Sequence, residues 1–321
     1  NKKNPLLFIF AYKKFCRKVL SHIRENDYDC VIVSGIFYSN IAKQIKRVSN
    51  AKLIYDCHGT NDELIEFNPS FMKKVMYFYF NYREKQILKR ADGIFAVTKD
   101  LKEHLCEKAK VKGDFYIVPC ALNKRRISYN EALLYREKWR NHFGISDDET
   151  LFIYSGGVSP WQSIDDVYAV YKKYQKDFEN AKLLIMTLKP YEIKYTDVIT
   201  ASFPSETVGE VLFAGDVACL LRSNCMTNRV AFPNKYLEYV QSNMVILTTP
   251  YLPCIAEDVT SENMGMLIKS IDDFDTSKLN TLLESRNNEQ DFSVRKRIIE
   301  KYSYHNSLKS FADVLQNSSD K

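Results

Sequence analysis

The segment 228–239, with the sequence NRVAFPNKYLEY, combines residue types that can bind a phosphorylated ligand. Pro233 is typical of a first helical turn, so Asn234 and Lys235 follow where unpaired backbone N–H groups and the helix dipole favour an anion. Glu238 comes about one turn later and can accept two hydrogen bonds from hydroxyl groups. The pattern suits a nucleoside diphosphate, with its phosphates at the helix tip and its ribose on the acid. A capped amphipathic surface helix is the alternative.

A pair of glycines forms a second candidate site. Gly156 and Gly157 come directly after an apolar run and before a helical pattern. Glycines in that position let the backbone approach a phosphate and direct N–H groups at it. A plain tight turn is an equally good interpretation.

A histidine forms the third candidate site. His58 stands in the polar turn 55–60 that ends an apolar run, and it is the only histidine so placed. The four others fall in helical patterns: His22, His104, His142 and His305. A histidine with a purely structural hydrogen bond is the alternative.

Apolar runs alternate with helical patterns along nearly the whole chain, and these elements must position the candidate residues. The runs are mostly short, rich in β-branched residues and apolar on both faces, as in a parallel sheet covered by helices. The alternation predicts an open, doubly wound α/β architecture. The predicted strands are 30–34, 53–56, 93–97, 115–118, 151–155, 183–187, 217–221, 245–248 and 266–268, and the predicted helices include 11–24, 41–48, 71–90, 130–143, 164–174 and 235–241.

The length of 321 residues is typical of two domains. A predicted helix ends at Gly144, and acidic turn residues and a new strand follow it. We therefore predict a first domain over 1–148 and a second over 149–303. Because ligands of such sheets bind beyond the carboxyl ends of the strands, all three candidate sites have the expected position.

Composition excludes several classes of protein. Ten Gly and nine Pro are too few for a collagen-like or broadly disordered chain. No uncharged apolar run approaches the roughly 18 residues that span a bilayer. Eight scattered cysteines without a Cys-x-x-Cys pattern predict reduced thiols and a cytoplasmic protein. No Asp-x-Asp pattern ends a strand, and Asp165 and Asp166 suit a helix N-terminus better than a metal site.

The charge is unevenly distributed, with +10 over residues 1–149 and −4 over residues 150–321. A basic first half favours an anionic partner, although solvated helix faces are the alternative. The helices 11–24 and 70–90 mix Lys and Arg with many aromatic residues, which predicts a basic, aromatic face for an anionic membrane surface. Packing of those aromatic residues on the first sheet is the alternative. Basic motifs of known nucleic-acid-binding types are lacking, so no nucleic-acid partner is predicted.

Five segments in order resemble the family-4 glycosyltransferases of the GT-B fold, and the resemblance covers nearly the whole chain. Residues 91–98 (ADGIFAVT) look like the family's strand before S-x-x-L, 116–121 (YIVPCA) like its V-I-P-N-G turn, and 214–217 (AGDV) like A-A-D-V. The segment 228–239 is similar to N-R-V-A-S-P-T-K-F-x-E-Y-L, a variant found in bacterial surface-polysaccharide enzymes. It is the most specific of the five. Residues 292–293 (FS) and the closing helix look like the segment that crosses back to the first domain, which implies that the C-terminal helix 304–318 packs on that domain.

The resemblance implies two Rossmann-like domains with a cleft between them and transfer of a sugar from a nucleotide-sugar, with retention and without metal or cofactor. The acceptor would be a glycan or a lipid-diphosphate-linked glycan of a capsule or lipopolysaccharide, met in the cytoplasm or on the inner face of the membrane. By position, His58, Arg222 and Lys235 would be catalytic, with His58 near the donor sugar and the two cations on the diphosphate. The donor-binding residues would be Gly156, Gly157, Asn234, Glu238 and Arg229, with Glu238 on the ribose.

The chain departs from the family pattern at three places. Val230 stands where many relatives have a second acid, eight residues before Glu238. Gly157 and Gln162 stand where many have Arg and Lys, so that neutralisation of the diphosphate would fall on Arg222 and Lys235. Compared with the family pattern, the sequence also predicts that the first strand, glycine loop and helix of the N-terminal domain are missing.

Two other functions remain open on the sequence. The missing unit and Val230 favour a non-catalytic, glycosyltransferase-like subunit whose partner supplies the absent unit. A nucleotide-sugar epimerase shares the fold and the nucleotide site but needs acid and base residues around the sugar. Release of nucleotide only in the presence of an acceptor distinguishes a transferase from both.

Overall fold

Short apolar runs form the strands of two parallel sheets, as the alternating pattern predicts. The computed structural model describes residues 5–111, 113–122, 125, 127–286 and 288–316. They divide into a first unit, which comprises Asn1–Val118 and Lys309–Lys321 as far as these are described, and a second unit, Pro119–Leu308. Each unit contains one sheet with helices between its strands, so the predicted α/β class with two Rossmann-like units is confirmed.

The first sheet has four parallel strands in the order β1-β2-β3-β4. Its central strands are fully buried at residues such as Leu53, Ile54, Ile94 and Phe95. The strands are β1 (Cys30–Ser34), β2 (Lys52–Cys57), β3 (Gly93–Ala96) and β4 (Asp114–Ile117). The helices are α1 (Pro5–Glu25), α2 (Ala42–Val48), α3 (Glu63–Glu66), α4 (Phe71–Leu88) and α5 (Lys99–Lys108), with a 3-10 helix over Ile36–Ile41.

The second sheet has six parallel strands in the order β10-β9-β8-β5-β6-β7. The chain adds strands on one side of β5 and then crosses to the other side with β8, which is the strand order of dinucleotide-binding folds. The strands are β5 (Thr150–Ser155), β6 (Ala181–Met186), β7 (Ile199–Ala201), β8 (Val217–Leu220), β9 (Val245–Thr248) and β10 (Gly265–Leu267). The short edge strand β7 was not predicted from the sequence.

Helices cover the strands of the second sheet, and its core includes Phe152, Tyr171, Leu183 and Val217. The helices are α6 (Tyr129–Phe143), α7 (Ile164–Asp177), α8 (Ser205–Val211), α9 (Met226–Arg229), α10 (Asn234–Gln241), α11 (Pro253–Ser261), α12 (Thr276–Glu284), α13 (Asn288–Lys301) and α14 (Tyr304–Gln316). Short 3-10 helices cover Pro160–Gln162, Pro190–Glu192 and Leu212–Ala214. Within the described ranges, no helix is both long enough and apolar enough to cross a membrane.

The units divide after Val118, thirty residues before the predicted boundary at 148/149. Helix α6 begins with a capping box of Ser128 and Glu131. It ends at Gly144 with φ 65°, as the sequence predicts. It belongs to the second unit and packs against the residues before β8, where Arg136 Nη2 donates to Asp216 Oδ1 at 2.7 Å. The end of a helix was therefore a poor marker of the domain boundary. At the other end of the chain the first unit resumes at Lys309, within α14, and residues 317–318 of the predicted helix lie outside the described part.

Candidate functional site

The strand order of the second sheet turns between β5 and β8, and several predicted site residues follow these two strands. Gly156 and Gly157 come after β5, and Arg222 comes shortly after β8. In open parallel sheets the crevice at such a turning point is where ligands bind. Helix α10, with Asn234 as its first residue and Pro233 as its N-cap, lies between β8 and β9 in the chain.

The glycine loop is packed against the side chain of Lys235. Gly156 has φ 151°, and a Cβ built there would collide with the Lys235 ammonium and lie 2.8 Å from Gln162 Oε1. Any side chain at this position would therefore displace Lys235 in addition to straining the backbone. A Cβ on Gly157 would lie 3.0 Å from Gln162 Nε2.

Tyr154 supports both the glycine loop and Lys235. Its ring lies 4.4 Å from Lys235 Nζ, close enough for a cation–π interaction. Its hydroxyl lies 2.5 Å from the carbonyl oxygen of Gly157 and 2.7 Å from Gln162 Oε1, which also accepts a hydrogen bond of 2.9 Å from Lys235. Burial raises the pKa of Tyr154 to about 12, so it is a neutral phenol at physiological pH.

Two cations share the space beside Tyr154. Lys235 is half-buried as a residue, but protein surrounds its ammonium group, and burial together with the positive charge of Arg222 holds its pKa well below the usual range. Glu238 partly opposes this shift. Arg222 is buried with 6% exposure, and burial lowers its pKa as well. Because burial disfavours the positive charge of both side chains, a negatively charged ligand beside them would be stabilising.

The remaining predicted residues of the second unit differ in position. Asn234 is exposed at the start of α10, and Glu238 is half-buried one turn further along the helix. Arg229 is exposed on α9, and its Nη2 donates to Asn224 Oδ1 at 3.2 Å. Asn228 is buried and donates to the carbonyl oxygens of Ser223, at 2.9 Å, and Trp161, at 3.2 Å. It therefore ties the segment after β8 to the segment after the glycine loop.

A pocket of about 410 Å³ opens beside the glycine loop. This volume is within the range of small-molecule sites. The pocket is lined by both glycines, by Ser155 at the end of β5, and by residues after β6 and β7, among them Thr187, Leu188, Lys189 and Phe203. Across the described part of the chain, no three or more His, Cys, Asp or Glu side chains are grouped so that they could hold a metal ion.

His58 lies in the first unit, after β2. Its side chain is 58% exposed, and Nε2 lies 2.8 Å from Asp56 Oδ2. A carboxylate on one ring nitrogen orients the imidazole.

A buried polar network holds the loop that follows His58. Asp62 Oδ2 lies 2.9 Å from His104 Nε2 and 3.2 Å from Lys108 Nζ, and it also accepts a hydrogen bond from Thr60. Lys108 also contacts Glu84 at 3.1 Å. Burial alone would raise the pKa of Asp62, but the hydrogen bonds from His104 and Thr60 and the charge of Lys108 outweigh it and hold the pKa well below its usual range.

Sequence reasoning missed the supporting residues of both units. It treated Tyr154 as an ordinary strand residue, although its position two residues before Gly156 was a usable signal. It interpreted Gln162 only as the absence of a lysine and His104 only as a surface histidine. In the structure Gln162 accepts a hydrogen bond from the Lys235 ammonium, and His104 is part of the largely buried network around Asp62.

Residues 4–126 match the protein family described as Glycosyltransferase Family 4. A protein of Methanocaldococcus jannaschii, described as an uncharacterized glycosyltransferase, is 25% identical over 189 residues, which are 57% of this chain and 45% of that protein. The chain therefore spans less than half the length of this curated relative.

Solved structures resemble the chain over most of its length. WaaG, a glycosyltransferase involved in lipopolysaccharide biosynthesis, has a TM-score of 0.57 and 15% identity and covers 88% of this chain and 81% of its own. A trehalose-6-phosphate structure from E. coli, bound with UDP-2-fluoro glucose, has a TM-score of 0.64 and 10% identity, with coverage of 94% and 77%. Sucrose-phosphate synthase from Thermosynechococcus elongatus has a TM-score of 0.66 and 13% identity, with coverage of 95% and 77%. The two Rossmann-like units therefore have the fold of the GT-B glycosyltransferases, and the chain is glycosyltransferase-like in both sequence and fold.

Proposed function

We propose that this protein transfers a sugar from a nucleotide-sugar to a glycan or lipid-linked acceptor, with retention of anomeric configuration and without a metal. The observation that carries the proposal is the pair of cations, Lys235 and Arg222, at the turning point of the second sheet. Burial disfavours their charge, which a diphosphate would stabilise. We further propose a role in the biosynthesis of a surface polysaccharide, in the cytoplasm or at its membrane face.

The donor is proposed to lie across the carboxyl ends of β5 and β8. Its diphosphate would contact the backbone N–H groups of the glycine loop, the two cations and the N-terminus of α10 at Asn234. The ribose hydroxyls would donate to Glu238, and the base would enter the pocket beside Thr187 and Phe203. The UDP-sugar bound in the E. coli neighbour supports a donor of this class.

The proposed chemistry follows from charge. Cleavage of the bond between sugar and diphosphate places negative charge on the leaving oxygen and positive character on the sugar ring. Lys235, Arg222 and the helix N-terminus would stabilise the leaving group without rearrangement, because packing and hydrogen bonds already hold them. His58 in the first unit is proposed to contact the transferred sugar, and Arg229 is proposed as a donor-binding residue. Both assignments rest on the resemblance.

A glycosyltransferase-like subunit without activity is the second candidate. The observation that favours it is Val230, which is 1% exposed at the position where many relatives carry a second acid. A buried valine cannot interact with a sugar, so the acid would have to come from elsewhere in the chain or from a partner subunit.

Two experiments test the proposed transferase. A thermal-shift panel of nucleoside diphosphates and nucleotide-sugars should identify the donor, because a ligand at about 100 times its Kd stabilises the folded protein by about 2.7 kcal/mol. The stabilising nucleotide-sugar is then incubated with and without glycan and lipid-linked acceptors. Nucleotide release that depends on an acceptor supports the transferase. Binding without transfer to any acceptor favours the inactive subunit, and no binding of any nucleotide contradicts both.

Replacing Glu238 with alanine is expected to raise the Kd of the identified nucleotide about 10- to 100-fold, because hydrogen bonds to a charged group contribute about 1.5–3 kcal/mol. The measurement is isothermal titration with the ribonucleotide and with its 2′-deoxy and 3′-deoxy analogues. At least one deoxy analogue should bind the wild type more weakly than the ribonucleotide does. The same analogue and the ribonucleotide should bind the Glu238→Ala variant with equal affinity. Glu257→Ala, an exposed acid on α11, is the control. Equal Kd values for wild type and Glu238→Ala would rule out the ribose assignment.

A further inference from the structure

A small cavity lies at the edge of the second sheet where the strands begin. It has a volume of about 70 Å³ and is lined by residues at the starts of β9 and β10 and at the junction of α12 and α13. The residues proposed to bind the donor follow the carboxyl ends of β5 and β8, so this cavity is at the opposite edge of the same sheet. It is smaller than the roughly 300–1,000 Å³ of a site for a drug-sized ligand, but it has room for several water molecules or a small anion.

Two arginine side chains line this cavity, and protein surrounds most of each. Arg295 of α13 is 5% exposed, and the side chain of Arg286, between α12 and α13, is 15% exposed. Nη2 of Arg295 donates to the carbonyl oxygen of Met264 at 3.0 Å, and Nη2 of Arg286 donates to the carbonyl oxygen of Asn243. These two hydrogen bonds fix the guanidinium groups beside the starts of β10 and β9.

Each of the two arginines also has a buried donor atom that no protein group satisfies. Among the residues that the structure describes, neither Arg286 Nε nor Arg295 Nη1 has a hydrogen-bond partner. Leaving a buried donor unsatisfied is costly, and more so on a charged group, so such donors normally bond to protein, to water or to a bound ion. Two of them on side chains that line one cavity indicate an acceptor within it.

The acids around the cavity compensate the two arginines only in part. Burial lowers the pKa of Arg286, and burial together with the charge of Arg286 lowers the pKa of Arg295 to about 10. Asp291 Oδ2 lies 3.9 Å from Arg286 Nε, too far for a hydrogen bond. Glu262 also lines the cavity, but it contacts Arg297 on the surface at 3.5 Å. A small anion would therefore supply both the missing acceptors and the missing negative charge.

We propose that this cavity binds a small tetrahedral oxyanion, either inorganic phosphate or the phosphate group of a small ester, between Arg286 and Arg295. Phosphate oxygens would accept hydrogen bonds from Arg286 Nε and Arg295 Nη1 at once, and the planar guanidinium group directs its donors well for this purpose. The anion would join the residue before α13 to the first turns of that helix. The site goes beyond the proposed sugar transfer and does not depend on it.

Unfolding midpoints in phosphate and in chloride of equal ionic strength test the proposal. A ligand that binds only the folded protein raises the midpoint as its concentration increases. We expect phosphate, titrated from micromolar to millimolar concentrations, to raise the midpoint of the wild type and of Lys235→Ala, whose donor site has lost one cation. Glycerol 3-phosphate distinguishes the two sources of the anion. Affinity equal to that of phosphate would assign the site to a phosphate ester, and weaker affinity would assign it to the free ion.

Two variants locate the binding. Arg286→Met and Arg295→Lys should each raise the apparent Kd for phosphate about 10- to 100-fold, the usual effect of losing a hydrogen bond to a charged group. The lysine variant keeps the positive charge, so it separates loss of the guanidinium donors from loss of charge. Lys296→Met, which replaces an exposed cation on the same helix, is the control and should leave the Kd unchanged.

Hydrogen exchange of the wild type makes the test independent of whether the variants fold. Phosphate should slow exchange in the segments 262–265 and 289–297, which contribute residues to the cavity.

Three results would overturn the proposal. One is a wild type with equal midpoints in phosphate and in chloride, which would mean that water satisfies the two arginines. Another is protection by phosphate that is confined to the glycine loop and α10, and the third is an equal loss of phosphate binding in Lys296→Met. A failure of the proposed sugar transfer would appear instead as missing nucleotide binding or missing nucleotide release, with the protection of 262–265 and 289–297 by phosphate intact.

Discussion

Replacing Lys235 with alanine is expected to lower the turnover of sugar transfer about 10²- to 10³-fold, the usual cost of losing one fixed donor at a developing negative charge. The variant should not be less stable without ligand than the wild type, because burial and the charge of Arg222 disfavour the Lys235 ammonium. A catalytic lysine would thus lower turnover without lowering stability, whereas a structural lysine would lower stability. Turnover and the unfolding midpoint, with and without nucleotide, are the measurements, and Lys278→Ala on an exposed turn of α12 is the control.

The lowered pKa of Lys235 gives this prediction a pH dependence. A lowered pKa means that the ammonium loses its proton at a lower pH than an ordinary lysine does, so the affinity for a diphosphate should fall as the pH rises through that value. A bound diphosphate stabilises the ammonium, and binding in this range should therefore take up protons. Calorimetry in two buffers with different ionisation enthalpies measures the uptake. Lys235→Arg should bind without it, and a Lys235→Ala variant with near-normal turnover would contradict the assignment.

Much of the fold could be predicted because parallel strands covered on both faces are apolar throughout. Strands such as β1 and β9 have the predicted bounds, and most others shift by only a residue or two. Strand β7 escaped prediction because none of its three residues is buried, so it lacks the apolar run that marks the other strands. The domain boundary differed because α6 is held by Arg136 and Asp216, a contact between residues 80 positions apart.

The candidate site was predictable where local sequence determines geometry. The placement of Asn234, Lys235 and Glu238 on the first turns of α10 follows from the helix periodicity after Pro233. The support of Lys235 by Tyr154 was not predictable, since it joins residues 81 positions apart through a sheet and a glycine loop. The surroundings of His58 were predictable only in part. Its partner Asp56 is close in sequence, but the loop after His58 is held through Asp62 by His104 and Lys108, which come from helix α5.

Replacing Asp62 with asparagine is expected to destabilise the first unit by about 3 kcal/mol, at the lower end of the cost of breaking a buried ion pair. The cost is limited because Lys108 keeps Glu84 as a partner at 3.1 Å. Urea unfolding of the full chain, with hydrogen exchange of the segment 57–66, measures it. Asp27→Asn, an exposed residue of the same unit, is the control and should change the free energy of unfolding by less than about 0.5 kcal/mol.

The pH dependence of this loss distinguishes the ion-pair network from simple packing. The folded-state pKa of Asp62 is lowered, so its contribution is fully present above its unfolded pKa of about 3.9 and is lost as the pH falls toward the folded value. The difference in stability between wild type and Asp62→Asn should therefore shrink below about pH 4. A difference that stays constant down to pH 2 would mean that the carboxylate charge is unimportant. Because the network holds the loop after His58, faster hydrogen exchange in 57–66 should accompany the loss at neutral pH, and unchanged exchange there would show that His58 is held by Asp56 alone.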